Sequence, residues 1–178
     1  MEKNPFKLEV VSVRLVKDSP IISKKNLTKP EEVVAVLGDI MCEFDREVIG
    51  VVNLKSDLTP INVHFASVGA INEAMAHPRE LLKASILSNA ASIMLIHCHP
   101  SGQLLPSKAD TMMTDRINKI CELIGIPLID HVIVGGDNRE FFSFKEKGVI
   151  KNPHIVLATD YKTLTLGTGF VAEKGKGR

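Results

Sequence analysis

Two histidines stand two residues apart at His97 and His99, and a serine and an aspartate stand three apart at Ser107 and Asp110. Imidazole nitrogens and carboxylate oxygens are zinc ligands, and a site built from three of them keeps its fourth tetrahedral position for water. For such a set to converge, the chain must turn between the two pairs. The apolar run from Ala90 to Ile96 reads as a buried strand. Side chains at i and i+2 leave a strand on the same face, so His97 and His99 point one way at the mouth of that strand. Pro100, Gly102 and Pro106 then turn the chain, Ser107 opens a helix, and Asp110 falls in its first turn. The Ser-x-x-Asp pair has a second reading as a helix cap, with Ser107 at the N-cap and Asp110 at N3 in the place usually held by Glu or Gln. Both readings need the same helix start, so neither excludes the other.

The elements that would position this set alternate along the chain. Leu8 to Val16 is rich in β-branched residues and predicts a strand, followed by a charged loop from Lys17 to Lys29. Thr28 is placed to cap a helix with Pro30 near its first turn, and Val33, Val34, Val36, Leu37, Ile40 and Met41 form its apolar face. Val48 to Leu54 and Pro60 to Ala66 predict a hairpin that turns at Lys55-Ser56-Asp57, and Ser67 to Ala76 links it onward. His77-Pro78-Arg79-Glu80 opens a second helix, which ends at Ser88-Asn89-Ala90. Beyond Asp110, the residues Met113, Ile117, Ile120, Cys121 and Ile124 recur at helical spacing, and Gly125 suits the position after the helix. Pro127 to Val134 and Glu140 to Phe144 predict a second hairpin around Gly135-Gly136-Asp137-Asn138. His154 to Thr159 predicts a further strand, and Lys174 to Arg178 a disordered basic tail. This order predicts an α/β fold, a single-domain α-β-α sandwich with a mixed β-sheet. Residues 1–29 are its N-terminal strand and loop, 30–150 the metal-binding domain and 151–178 a C-terminal extension.

Composition narrows the function. The 178 residues are 44% hydrophobic and 24% charged, ordinary for one soluble globular domain. A net charge of +1 gives no strong attraction to nucleic acid. One tyrosine and no tryptophan leave few platforms for base stacking. Cys42, Cys98 and Cys121 are an odd number at unrelated spacings, which argues against a disulfide framework and fits a reducing cytoplasm. The N-terminus shows no apolar signal-peptide core, and no run approaches the roughly 18 apolar residues of a membrane span. A cytoplasmic location without membrane contact is expected.

His-x-His, seven residues, then Ser-x-x-Asp resembles the metal-binding signature of the JAMM (JAB/MPN) metalloproteases. The strings Asp45-Arg46-Glu47-Val48, His77-Pro78-Arg79-Glu80, Ile86-Leu87-Ser88-Asn89-Ala90-Ala91, His99-Pro100-Ser101-Gly102 and Asp130-His131-Val132-Ile133-Val134-Gly135 are similar to the RadC branch of that family. The resemblance covers Lys7 to Ile150. It implies a JAB/MPN (cytidine-deaminase-like) fold, with one Zn2+ per chain held by His97, His99 and Asp110. It also implies that Glu47, at the entrance to its strand, is the general base; without the resemblance Glu47 would read as an exposed charge. The implied reaction is cleavage of a peptide or isopeptide bond in a protein or peptide substrate by a zinc-bound water. Ser107 would donate a hydrogen bond to the developing oxyanion.

Other readings stand beside this one. A RadC-like DNA repair or DNA-transaction accessory protein with a structural metal site is the alternative. RadC proteins carry a helix-hairpin-helix segment for which the N-terminus here leaves no room, and the charge balance does not support DNA binding. A nucleobase deaminase would need H-x-E and P-C-x-x-C strings, and neither occurs. His131 is an alternative ligand on composition. His64 and His154 have no supporting neighbours. Cys98 stands where RadC-like chains commonly have Asn; by strand alternation it faces away from the imidazoles as a buried substitute, with metal competition or oxidation sensing as the other reading. Exposed sheet edges leave a homodimer or the capture of an extended peptide open.

Overall fold

The computed structural model describes residues 12, 14–68, 77–136 and 140–150, together with the backbone of 165–166 and 169–170. A mixed sheet of five strands runs through the middle, in the spatial order β2-β1-β3-β4-β5. Its strands are β1 (Val48–Leu54), β2 (Pro60–Val68), β3 (Ser92–His99), β4 (Leu128–Gly135) and β5 (Phe141–Ser143). Both predicted hairpins form, because β1 pairs antiparallel with β2 and β4 antiparallel with β5. β1 also runs antiparallel to β3, whereas β3 and β4 are parallel. A parallel pair needs a crossover, and α3 (Lys108–Ile124) supplies it.

Helices cover both faces. Strand alternation sends Val48, Val52, Met94, Ile96, Cys98, Val132 and Val134 to one side, where they pack with Val33, Leu37 and Met41 of α1 (Pro30–Cys42). The other parity, Ile49, Val51, Ile93, Leu95 and Ile133, packs with Leu81 and Leu82 of α2 (Pro78–Leu87) and with Met113, Ile117 and Cys121 of α3. This is the expected α-β-α sandwich. β1 and β3 are buried along their whole lengths, as strands covered on both faces must be.

Helix ends follow local chemistry. Pro78 occupies the first turn of α2 behind His77, whose Nδ1 accepts the Arg79 N–H at 3.2 Å. α3 ends at Gly125, whose left-handed backbone (φ 72°) a side chain would disfavour. At α1 the expected cap is displaced by one residue: Lys29, not Thr28, is the N-cap. The reason is Glu32 at N3. Its carboxylate accepts the Lys29 N–H (3.1 Å), the Thr28 N–H (2.6 Å) and the Thr28 hydroxyl (2.8 Å), so the threonine donates to the cap instead of accepting.

The N-terminal strand expected over Leu8 to Val16 is not present at its described positions, Ser12 and Arg14 to Val16. β-Branched content alone does not make a strand; a ladder partner is needed. Val16 is instead 89% exposed. Further along, Asn26 donates to the Asp57 carbonyl, Leu27 N–H to that of Leu58, and the Leu27 side chain is buried against the α1 face. The strand expected over His154 to Thr159 and the basic tail lie outside the described residues. Thr165–Leu166 and Gly169–Phe170 form a separate two-stranded antiparallel pair. Among the described residues, no helix is long and apolar enough to cross a membrane.

Candidate metal centre

The predicted site residues converge at one end of the sheet, and each is delivered by a different local device. β3 runs on through both histidines to His99, three residues further than the apolar run suggests. His97 and His99 share the parity of Ile93 and Leu95 and therefore face α3, with His97 fully buried and His99 nearly so. Cys98 takes the opposite parity and packs against α1, as expected from alternation. Burial first, then the neighbouring Cys42, push its thiol up to about 11, which makes it an unreactive neutral group at physiological pH.

The loop after β3 is pinned against β4. Gly102 adopts φ 75° and its N–H donates to the His99 carbonyl at 2.9 Å. Gly135, opposite His99 on β4, lies so close that a Cβ there would sit 2.7 Å from the His99 oxygen and 3.1 Å from the Gly102 Cα. The loop then returns the Gln103 carbonyl to His99 Nδ1 at 2.6 Å. A carbonyl only accepts, so Nδ1 carries a proton and donates it to Gln103, and Nε2 is the nitrogen left facing Asp110, the orientation a metal-ligating histidine needs.

Ser107 caps α3, and the cap also aims Asp110. The Ser107 Oγ accepts the Asp110 N–H (3.1 Å), and Asp110 Oδ2 accepts the Ser107 N–H (2.7 Å). Asp110 Oδ1 lies 3.3 Å from His97 Nδ1, and Oδ2 lies 3.5 Å from His99 Nε2. Burial opposes a charge on Asp110, but hydrogen bonds with His97, His99 and Ser107 outweigh it and hold the carboxyl well below the usual carboxylate range. His99 is raised above its ordinary value, first by the hydrogen bond to Asp110 and against the pull of burial. Ligand atoms from His97, His99 and Asp110 all lie within 4.8 Å of one another, a set that can hold a metal ion.

Glu47 approaches from the other side. Ile49 pairs with His97 across β1 and β3, so Glu47, two residues earlier, comes to the same face. Its Oε2 is 3.9 Å from His97 Nε2, and the side chain is 31% exposed, reaching both the imidazoles and solvent. Both ring nitrogens of His97 and Oε2 of Glu47 are buried without a hydrogen-bond partner among protein groups. Unpaired buried polar atoms are costly, and a cation among these acceptors is what the donor set fits.

His131 is not part of the ligand set. Its ring stacks behind that of His97, 5.9 Å between centroids and 9° from parallel. In the sequence His131 stands only as an alternative ligand; its partner Thr114 is signalled there by no more than a spacing of four from Asp110 on the helix.

Taken together, an α-β-α sandwich with two histidines on a central strand and an aspartate in the first turn of the next helix is a JAB/MPN-type domain with a metal-capable centre. The RadC-like JAB domain profile matches residues 27–149, and the chain belongs to that family. A UPF0758 protein of Clostridium beijerinckii is 39% identical over 124 residues, 70% of this chain and 53% of the relative. Similar proteins occur in Thermotoga maritima (37% identity, 61% of this chain, 48% of the relative) and Moorella thermoacetica (38%, 72% and 56%). The chain thus spans about half the length of the curated relatives it matches.

Proposed function

We propose that this chain is a zinc-dependent metallohydrolase that cleaves a peptide or isopeptide bond in a protein or peptide substrate. The observation that carries the reading is the buried His97, His99 and Asp110 set, with its ligand atoms within 4.8 Å and Glu47 alongside. When bound, zinc would supply Lewis acidity, polarising a carbonyl and bringing the pKa of water to about 7. Every other role belongs to the chain. Asp110 is held ionised and His99 is oriented with Nε2 toward it, so the candidate ligands are arranged in advance and only the Nε2 proton has to be displaced by a metal. Glu47 is placed to take a proton from the attacking water and pass it to the leaving amine. Ser107 uses only an oxygen lone pair in the cap, which leaves its hydroxyl proton available to the oxygen on which negative charge develops.

Elemental analysis of the purified protein beside a His97→Ala, His99→Ala double variant tests the metal. About one zinc per chain, lost in the variant, is expected; no metal in either after incubation with zinc would sink the reading. Glu47→Gln should retain zinc and lose cleavage of peptide and isopeptide-linked substrates by about 100-fold or more. Undiminished cleavage in that variant would remove Glu47 from its role.

A further inference from the structure

Behind the ligand set lies a second layer of buried polar groups that the proposed chemistry does not use. Thr114 sits one helical turn beyond Asp110 and is 1% exposed. Its hydroxyl is 2.6 Å from the Asp110 carbonyl and 2.7 Å from His131 Nδ1. The hydroxyl has one proton, and the carbonyl can only accept it. His131 Nδ1 must therefore carry its own proton and donate it to Thr114 Oγ1. That single threonine fixes both the tautomer of His131 and the backbone carbonyl of Asp110.

The His131 ring is held on its other face as well. Phe144 stacks on it at 4.8 Å and 6°. Phe144 is in turn set by a clamp on β4: Asp130 accepts the Ser143 hydroxyl (2.6 Å) and the Lys145 N–H (2.9 Å), while the Phe144 N–H donates to the His131 carbonyl (3.0 Å). Four rings thus run in series from Phe144 through His131 and His97 to His99, the last pair meeting edge to face at 4.5 Å. Asp110 Oδ1 lies 3.3 Å from His97 Nδ1, but no described carbonyl is bonded to the His97 ring as the Gln103 carbonyl is to His99. Stacking is the second contact that can orient it.

We propose that Thr114 and His131 are positioning residues for the metal centre: His131 sets the ring plane of His97 by stacking, and Thr114 joins that ring to the segment that carries Asp110. This rests on the metallohydrolase reading. It assigns to two residues on α3 and β4 the orienting role that a direct hydrogen bond performs for His99. Losing such an outer contact typically costs about 10- to 100-fold in metal affinity.

The test is zinc affinity by competition with a chromophoric chelator, and the visible spectrum of the Co(II)-loaded protein, for wild type, Thr114→Val, Thr114→Ser and His131→Phe. Thr114→Val keeps the shape and removes the hydroxyl; His131→Phe keeps a stacked ring and removes Nδ1. Weakened zinc binding by about 10-fold or more and a shifted Co(II) spectrum are expected in Thr114→Val, with both restored in Thr114→Ser. His131→Phe should weaken binding in the same direction, and the Thr114→Val, His131→Phe double variant should cost little more than either single change, since the two share one bond. Circular dichroism of the metal-free proteins reports folding, and if His131→Phe does not fold, the threonine pair decides. Folded variants with wild-type affinity and spectrum would overturn the inference while leaving the metal site intact. A wild-type protein that binds neither metal would overturn the metallohydrolase reading and this inference with it.

Discussion

Burial of His131 makes a quantitative prediction about acid stability. The side chain is fully buried, and burial first, then the charge of His97, push its pKa down to about 3 from an ordinary 6.5. In the folded chain it stays neutral well into the acid range; in the unfolded chain it takes up a proton below 6.5. Stability is linked to that difference, so the neutral ring's contribution is complete above 6.5 and is lost as pH falls toward the folded value. Each unit below 6.5 costs about 1.4 kcal/mol, or about 2 kcal/mol at pH 5. Other groups titrate too. His99, raised by its bond to Asp110, contributes in the opposite sense, and Asp110 adds a pH dependence only as pH falls below its ordinary 3.8, outside this interval. Comparison with His131→Phe cancels these common terms, because Phe fills the same place between His97 and Phe144 and carries no proton. Urea unfolding of the chelated proteins at pH 7 and pH 5 measures the difference. The wild type should lose about 2 kcal/mol more than the variant over this interval. Equal losses would mean that His131 titrates alike in both states, and the argument from burial would fail.

Further outcomes follow from the same geometry. Ser107→Ala removes the α3 cap and should cost about 1 kcal/mol in unfolding experiments; on the proposed oxyanion role, its loss should also lower kcat by about 100-fold at little changed KM. Gly135→Ala places a methyl against the His99 carbonyl and the Gly102 backbone, so about 1–3 kcal/mol of stability should be lost together with zinc affinity, read by thermal melts with and without zinc. Cys98→Ala should leave zinc affinity unchanged in a chelator titration, because that side chain packs against α1 on the far side of β3.

The convergence of His97, His99 and Asp110 was legible because it depends on rules with short range. Strand parity puts His97 and His99 together, proline and glycine turn the chain, and a Ser-x-x-Asp cap places Asp110 on the inner side of the next helix. Glu47 is different: its residue type at a strand entrance says nothing, and only the resemblance singled it out. The apolar run ends at Ile96, but on a central strand the ladder continues regardless of polarity and carries β3 through both histidines. At the described positions of the Leu8 to Val16 stretch, Ser12 and Arg14 to Val16, no strand forms for the converse reason, since β-propensity reports a preference that only a paired neighbour can satisfy. In the sequence His131 reads as an alternative ligand, and nothing but its spacing of four from Asp110 marks Thr114. Their contact with each other is made between α3 and β4, a relation that this spacing does not encode. Thr28 was misplaced by one residue because the acceptor at the α1 start is the Glu32 carboxylate, reaching back from N3.

The three candidate ligands differ in how firmly the chain holds them. His97 and His99 ride on a strand hydrogen-bonded along both edges, to β1 and to β4, so releasing them means breaking the sheet. Asp110 sits in the first turn of α3, held by the Ser107 cap rather than by ladders on two sides, so opening there breaks fewer bonds. Amide exchange should therefore be slow through residues 93–98 and faster at 107–110. Exchange of a bound ion with solution would be set by opening of that single helical turn, with the two histidines remaining as a standing half-site to which the carboxylate returns.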